Sequence, residues 1–152
     1  MNSKEQFFKQ AYIAKLQQLS GNEIGLWGVL SPQGMIEHMA DAFANAYGKI
    51  KLPAQTPEAI LPKMRAFALS ETPFKENTKN VLMSEEPAPL RNKSMTEAIW
   101  ELEKEIKAFM DFYKSNPDSK NLNPFFGEFN YEEWLHLLNK HAKHHLKQFN
   151  LL

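Results

Sequence analysis

Two histidines near the carboxyl end of the chain, His141 and His145, have the spacing of a helical metal-binding pair. At about 100° per residue, positions four apart differ by roughly 40° around a helix, so both rings leave the same face. Trp134, Leu137 and Leu138 fall on or near that face, where a bundle helix ordinarily carries leucine. A buried imidazole without a partner is unfavourable, and one metal ion would satisfy both rings.

The other histidines differ in how well they suit a third ligand. His38 is favoured because it also falls on an apolar helix face. His136 lies about 140° around the helix from His141 and is predicted to be a surface residue. His144 is ambiguous, because a residue three positions after His141 can support the site, hydrogen-bond a neighbouring helix or, less readily, act as a ligand.

Two alternatives to a catalytic metal site stay open at this point. A His pair at helical spacing arises by chance, and a stripe of Trp, Leu and His is often only core. The chain would then be a non-catalytic helical binding protein, with histidines packed and hydrogen-bonded to one another or to Gln148. The other alternative is a structural metal closed by a fourth protein ligand such as His144.

Four helical segments must position these residues, and each has apolar periodicity with recognisable ends. The predicted helices cover residues 3–19, 31–48, 94–116 and 130 to about 148. Capping signals support the last three starts: Ser31 before a proline, and Ser94 and Asn130 each three residues before a glutamate. Two acidic or polar sets are predicted to face solvent: Glu37, Asp41 and Asn45 on helix two, and Glu101, Glu103 and Glu105 on helix three.

A long crossover joins helices two and three over residues 50–93. It holds six of the nine prolines, and we predict one short helix in it, near residues 57–69, and no strand in the chain. The predicted fold is all-α, a four-helix bundle with one long crossover between helices two and three, built as a single domain over residues 1–152.

Composition narrows the function further. Eighteen basic residues balance eighteen acidic ones, so we expect no nucleic-acid partner. The chain has no cysteine, which leaves nitrogen and oxygen ligands for any metal. No stretch approaches the roughly 20 apolar residues of a membrane span and the amino-terminal residues are polar, so we expect no membrane association and a cytoplasmic protein. No Gly-rich phosphate loop or serine nucleophile elbow is present.

Four motifs together give the chain a family resemblance. They are Met35-Ile36-Glu37-His38 in helix two, Asn123-Pro124-Phe125-Phe126-Gly127 before the last helix, Glu133-Trp134 within it, and His141-x-x-His144-His145-x-x-Gln148-Phe149 near its end. With them the sequence resembles the DinB/YfiT-like metalloenzyme superfamily of four-helix bundles, and within it a branch known as a domain of unknown function. The terminal motif is fairly specific, whereas the helix-two histidine alone would not be.

The resemblance implies a divalent metal, zinc or nickel, bound by His38, His141 and His145 with water in the remaining positions. It implies a metal-dependent transferase using a low-molecular-weight thiol, or a hydrolase of a small substrate, and a chain able to form a homodimer. Residues expected to support the site or line its pocket are His144, Gln148, Trp134, Phe125 and Phe126. The sequence identifies no general base and no substrate-binding arginine.

Overall fold

The computed structural model describes residues 2–76 and 88–152 of the chain. The part of the predicted crossover at residues 77–87 lies outside the described residues. In chain order the elements are α1 (Ser3–Gln6), a π-helical stretch (Phe7–Ala11), α2 (Tyr12–Leu16), α3 (Pro32–Ala46), α4 (Leu61–Leu69), α5 (Met95–Ser115), β1 (Asn121–Asn123), β2 (Gly127–Phe129) and α6 (Tyr131–Gln148). The predicted all-α fold is confirmed, and the strands are a small addition to it.

The first predicted helix is helical from Ser3 to Leu16, with a π-helical stretch in its middle. The Tyr12 N–H donates to the Phe7 carbonyl, five residues back, where an α-helix would use the residue four back. The π-helical stretch contains one extra residue in a turn, and the apolar side chains of the predicted helix still reach the core. Phe8, Tyr12, Leu16 and Leu19 are all buried.

Helices α3 and α5 form the main packing contact of the bundle, and α6 and α1 pack alongside. Ser31 caps α3 by accepting a hydrogen bond from the Gly34 N–H at 3.0 Å, and Pro32 occupies the first turn. The prediction that Glu37 and Asn45 face solvent is wrong. Glu37 is 5 % exposed and Asn45 is 6 % exposed, because both side chains bind backbone groups of distant segments.

The crossover is tied to the bundle at its far end. One Glu37 carboxylate oxygen accepts from the Arg91 N–H at 3.0 Å, and the other accepts from the Asn92 N–H at 3.0 Å. The short helix in the crossover begins at Leu61, four residues later than predicted. Arg65 of this helix donates to the Glu128 carbonyl at 2.5 Å and lies 4.6 Å above the Phe129 ring, so it fastens α4 to β2.

A two-stranded antiparallel hairpin precedes α6, where the sequence predicted no strand. Asn121 pairs with Phe129, and Asn123 pairs with Gly127. The turn forms because the Asn123 side-chain oxygen accepts from the Phe125 N–H at 2.8 Å and from the Phe126 N–H at 3.1 Å. These local hydrogen bonds, and not strand propensity, fix the hairpin.

Helix α6 begins as predicted. Asn130 and Glu133 each accept a hydrogen bond from the other's backbone N–H, at 3.0 Å in both directions. Within the described ranges, no helix combines the length and apolar character needed to cross a membrane.

Candidate metal centre

Three histidine rings from two helices converge at one point of the bundle. His38 comes from the middle of α3, and His141 and His145 come from adjacent turns of α6. The His38 and His141 Nε2 atoms are 3.1 Å apart, and the His141 and His145 Nε2 atoms are 3.0 Å apart. One ring nitrogen from each residue lies within 4.8 Å of the other two.

The three rings do not carry enough protons to make a hydrogen bond across both of their close contacts. The His145 Nδ1 atom lies 2.7 Å from the Gln148 Oε1 atom, which can only accept, so Nδ1 carries the proton and Nε2 presents a lone pair. His141 Nε2 has two imidazole neighbours but holds at most one proton, which serves one of them. Hydrogen bonding alone therefore leaves one of the two close contacts unsatisfied, and a cation among the three atoms would satisfy both.

Burial keeps these rings neutral. It lowers the pKa of His38, with Asp41 opposing the shift, and it lowers the pKa of His145 to about 3. The pKa of His141 is held well below its ordinary value by burial first and then by the neighbouring imidazoles. The neutral ring is the form that binds a metal.

Two of the three nitrogen–nitrogen distances in the cluster also suit a metal. Ligand nitrogens about 2.0–2.1 Å from one ion lie roughly 2.8–3.0 Å from each other at adjacent octahedral positions and roughly 3.3–3.4 Å apart in tetrahedral geometry. The two contacts, 3.1 Å and 3.0 Å, fall between these values. His38 and His141 keep part of their surface exposed, so protein does not fully enclose the cluster. The three histidines could hold a metal ion.

Aromatic side chains flank the cluster on the α6 side. The His144 ring lies between two of them, with centroids 5.2 Å from Trp27 and 6.0 Å from Phe74. Phe74 also lies 6.1 Å from His141, and the Lys140 ammonium is 5.0 Å above the Phe74 ring. His144 is thus a neighbour of the cluster, and its own ring faces aromatic groups.

The residues predicted to support the site divide into two groups. Gln148 contacts His145 directly, and Phe126 approaches the cluster through Phe74, with ring centroids 6.5 Å apart. Trp134 and Phe125 lie elsewhere. Trp134 is in the core about two helical turns before His141, where its Nε1 donates to the Asn121 carbonyl at 3.2 Å. Phe125 packs on Phe126, and its carbonyl accepts from Thr56 at 2.7 Å.

Sequence reasoning missed two aromatic residues on the α6 side of the cluster, Trp27 beside His144 and Phe74 beside His141 and His144. Both lie in segments without regular structure, where periodicity gives no signal. The available signal was composition: Trp27 is an aromatic residue within a glycine-containing loop, and Phe74 follows a proline. His136 was predicted to be a surface residue, but it is half-buried with Nε2 2.9 Å from the Ser70 carbonyl.

Two cavities in the described part of the chain lie away from the histidines. One of about 730 Å³ runs between the amino-terminal helical segment and α5, over Phe8 and Met110. The other, of about 220 Å³, lies beside Asp41, Arg91 and Glu105. Neither is lined by a residue of the cluster.

Fold and site together define a class of protein, a helical bundle with a three-histidine cluster between two of its long helices, here α3 and α6. The chain belongs to the DinB superfamily, whose family model matches residues 27–149. The matched range includes all three histidines and also Trp27 and Gln148. Comparison with curated proteins gave no match, and comparison with solved structures gave none.

Proposed function

We propose that this protein is a divalent-metal-dependent enzyme in which His38, His141 and His145 are the metal ligands. The observation that carries the proposal is the convergence of three Nε2 atoms with too few protons to satisfy one another. Three neutral imidazoles suit zinc or nickel. Three protein ligands leave coordination positions for water and substrate, as catalytic sites do and closed structural sites do not.

We propose a small substrate, with thiol transfer or hydrolysis as the reaction. A bound divalent ion lowers the pKa of a thiol or water that it holds, which supplies a nucleophile near neutral pH. The chain itself supplies aromatic surface, with Phe74 against His141 and Trp27 against His144. These rings limit the entry of water and favour a compact substrate with an apolar part over a macromolecule.

The alternative of a non-catalytic bundle differs in what the histidines do without metal. In that alternative the rings would be partners for one another, and divalent ions would not bind. Burial of His145 at 7 % exposure beside two other rings, with one of the close contacts left without a proton, supports the metal proposal over it.

Elemental mass spectrometry of protein purified without a histidine tag tests the proposal. We expect about one equivalent of zinc or nickel in the wild type and none in the His141→Ala/His145→Ala double variant. His136→Ala is the matched control, because His136 lies on the same helix outside the cluster, and it should keep its metal. Absence of metal from the wild type after incubation with zinc, nickel or manganese would overturn the proposal.

A second stage tests the reaction. Metal-loaded protein is assayed for transfer of a low-molecular-weight thiol to an electrophile and for hydrolysis of small esters and amides. We expect one of these activities to be present in the wild type and in His136→Ala, and to be lost in the double variant. A metal-loaded protein that is inactive in both assays would contradict these reaction classes and leave the metal centre standing.

A further inference from the structure

We propose that the backbone carbonyl of Trp27 determines which nitrogen of His145 faces the metal, and that Gln148 transmits this choice. This inference rests on the proposed function, because it concerns how His145 comes to present a lone pair to the metal. Its physical content concerns hydrogen bonds that exist without a metal. Gln148 is a positioning residue in this account, because it acts through His145.

Three hydrogen-bonding groups lie in a row: the Trp27 carbonyl, the Gln148 amide and the His145 ring. A backbone carbonyl can only accept, so the Trp27 oxygen, 2.8 Å from Gln148 Nε2, requires the NH2 end of the amide to face it. The amide oxygen must then face His145, whose Nδ1 lies 2.7 Å away. That oxygen requires a proton on Nδ1, which leaves the lone pair on Nε2, the atom 3.0 Å from His141 Nε2.

The reverse orientation of the amide shows what the carbonyl prevents. Rotated by half a turn, the Gln148 oxygen would face the Trp27 carbonyl oxygen, and two acceptors would lie in contact. The NH2 group would then face His145 Nδ1 and require a lone pair there, which moves the ring proton to Nε2. In that tautomer His145 presents a proton to the cluster and cannot serve as a ligand through Nε2.

The loop that carries Trp27 is fastened to the same glutamine in two further ways. The Leu26 N–H donates to the Gln148 backbone carbonyl at 2.7 Å. Gly25 packs so closely that a Cβ atom there would lie 3.1 Å from Gln148 Cγ and 3.0 Å from the Trp27 oxygen. Gln148 itself is 3 % exposed, so water does not compete for its amide. The loop and the amide therefore hold one arrangement.

The direct test reads the ring tautomers in metal-free wild-type protein. Two-bond nitrogen–proton correlation spectra distinguish imidazole protonated at Nδ1 from imidazole protonated at Nε2. We expect His145 to be the Nδ1–H tautomer. A predominant Nε2–H form would overturn the inference, and this measurement needs neither a variant nor a metal.

Variants at Gln148 separate tautomer control from simple packing. Gln148→Met keeps the length of the side chain and removes the acceptor, so the Nδ1–H preference should fall and the Kd for cobalt should rise about 10–100-fold. Gln148→Glu presents an acceptor oxygen to Nδ1 whether its carboxyl group is ionised or protonated, so it should keep the tautomer and hold the Kd within a few fold of wild type. Gln10→Met, at an exposed position, is the control and should change neither.

The results distinguish this inference from the proposed function. If Gln148→Met and Gln148→Glu weaken cobalt binding equally while the His145 tautomer is unchanged in both, Gln148 acts only by holding the loop, and the inference is wrong. If wild-type protein binds no metal but His145 is Nδ1–H and loses that preference in Gln148→Met, the hydrogen-bond relay stands and the metal function fails. Gly25→Ala, which disturbs the relay from the loop side, should lower the Nδ1–H population without altering any ligand.

Discussion

Two clusters of polar side chains surround a buried residue of this bundle, Glu105 in one and His145 in the other, and they differ in how completely their hydrogen bonds are satisfied. The carboxylate cluster consists of Tyr47, Lys49 and Glu105, at the carboxyl end of α3. Here the Tyr47 hydroxyl donates to one Glu105 oxygen at 2.7 Å, and the Lys49 ammonium donates to the other at 2.6 Å. The histidine cluster consists of His38, His141 and His145, and its three facing nitrogens cannot satisfy one another.

The difference separates a structural cluster from a candidate site within one core. In the carboxylate cluster each donor has an acceptor, and burial together with the Glu105 carboxylate raises the pKa of Tyr47, which stays a protonated donor. Nothing further is needed to complete it. The three histidines of the other cluster could hold a metal ion, and a cation there would complete the cluster with a ligand that the chain does not itself contain.

The largest expected effect is stabilisation by metal. At zinc concentrations about 1,000 times the Kd, binding to the folded state alone should add about 4 kcal/mol to the free energy of unfolding. For a chain of this size, this corresponds to a rise in Tm of roughly 10 °C, measured by thermal scanning with and without chelator. His141→Leu should show no such rise. Equal stabilisation of the two proteins by zinc would place the binding outside the histidine cluster.

The next effect comes from breaking the satisfied cluster. Glu105→Leu leaves the partly buried Tyr47 hydroxyl without its acceptor, while water can solvate the exposed Lys49 ammonium, and it should lower the free energy of unfolding by about 1.5 kcal/mol. Urea unfolding measures the change. Glu103→Leu, at an exposed position on the same helix, should stay within about 0.5 kcal/mol of wild type. Similar values for the two variants would mean that the carboxylate cluster does not stabilise the fold.

The smallest effect is expected where the histidine cluster is broken without metal. His141→Leu removes a ring that is not fully satisfied and adds apolar surface, so the unfolding free energy in chelator should change by no more than about 1 kcal/mol. Leu138→Ala on the same helix should cost about 2–5 kcal/mol, which checks that the assay responds to packing. A loss of several kcal/mol in metal-free His141→Leu would mean that the histidine cluster stabilises the metal-free fold as the carboxylate cluster does, which would contradict the comparison.

Helical periodicity predicted the elements that carry the site, and the reason is local. The starts of α3, α5 and α6 were correct because Ser31, Ser94 and Asn130 cap the turns that follow them. The convergence of His141 and His145 was predictable from four-residue spacing within one helix. Placing His38 against them required only that apolar faces of two helices meet.

The errors arose where a partner lies far away in the sequence. Glu37 and Glu105 were predicted to face solvent, and each is buried by groups about 55 residues distant. Trp27 was missed for the same reason, since its carbonyl meets Gln148 across 121 residues. A helical wheel shows which residues of one helix are neighbours, and it gives no information on partners that are distant in the sequence.

The separation of the proposed ligands along the chain has a consequence for biosynthesis. His38 and His141 are 103 positions apart, and the second helix is made long before the last. A nascent or unfolded chain offers at most the pair on the final helix, which binds metal far more weakly than three converged rings. If the three histidines bind metal as proposed, tight loading is a late event that follows completion of the bundle, and cells that lack the metal should accumulate folded, metal-free protein.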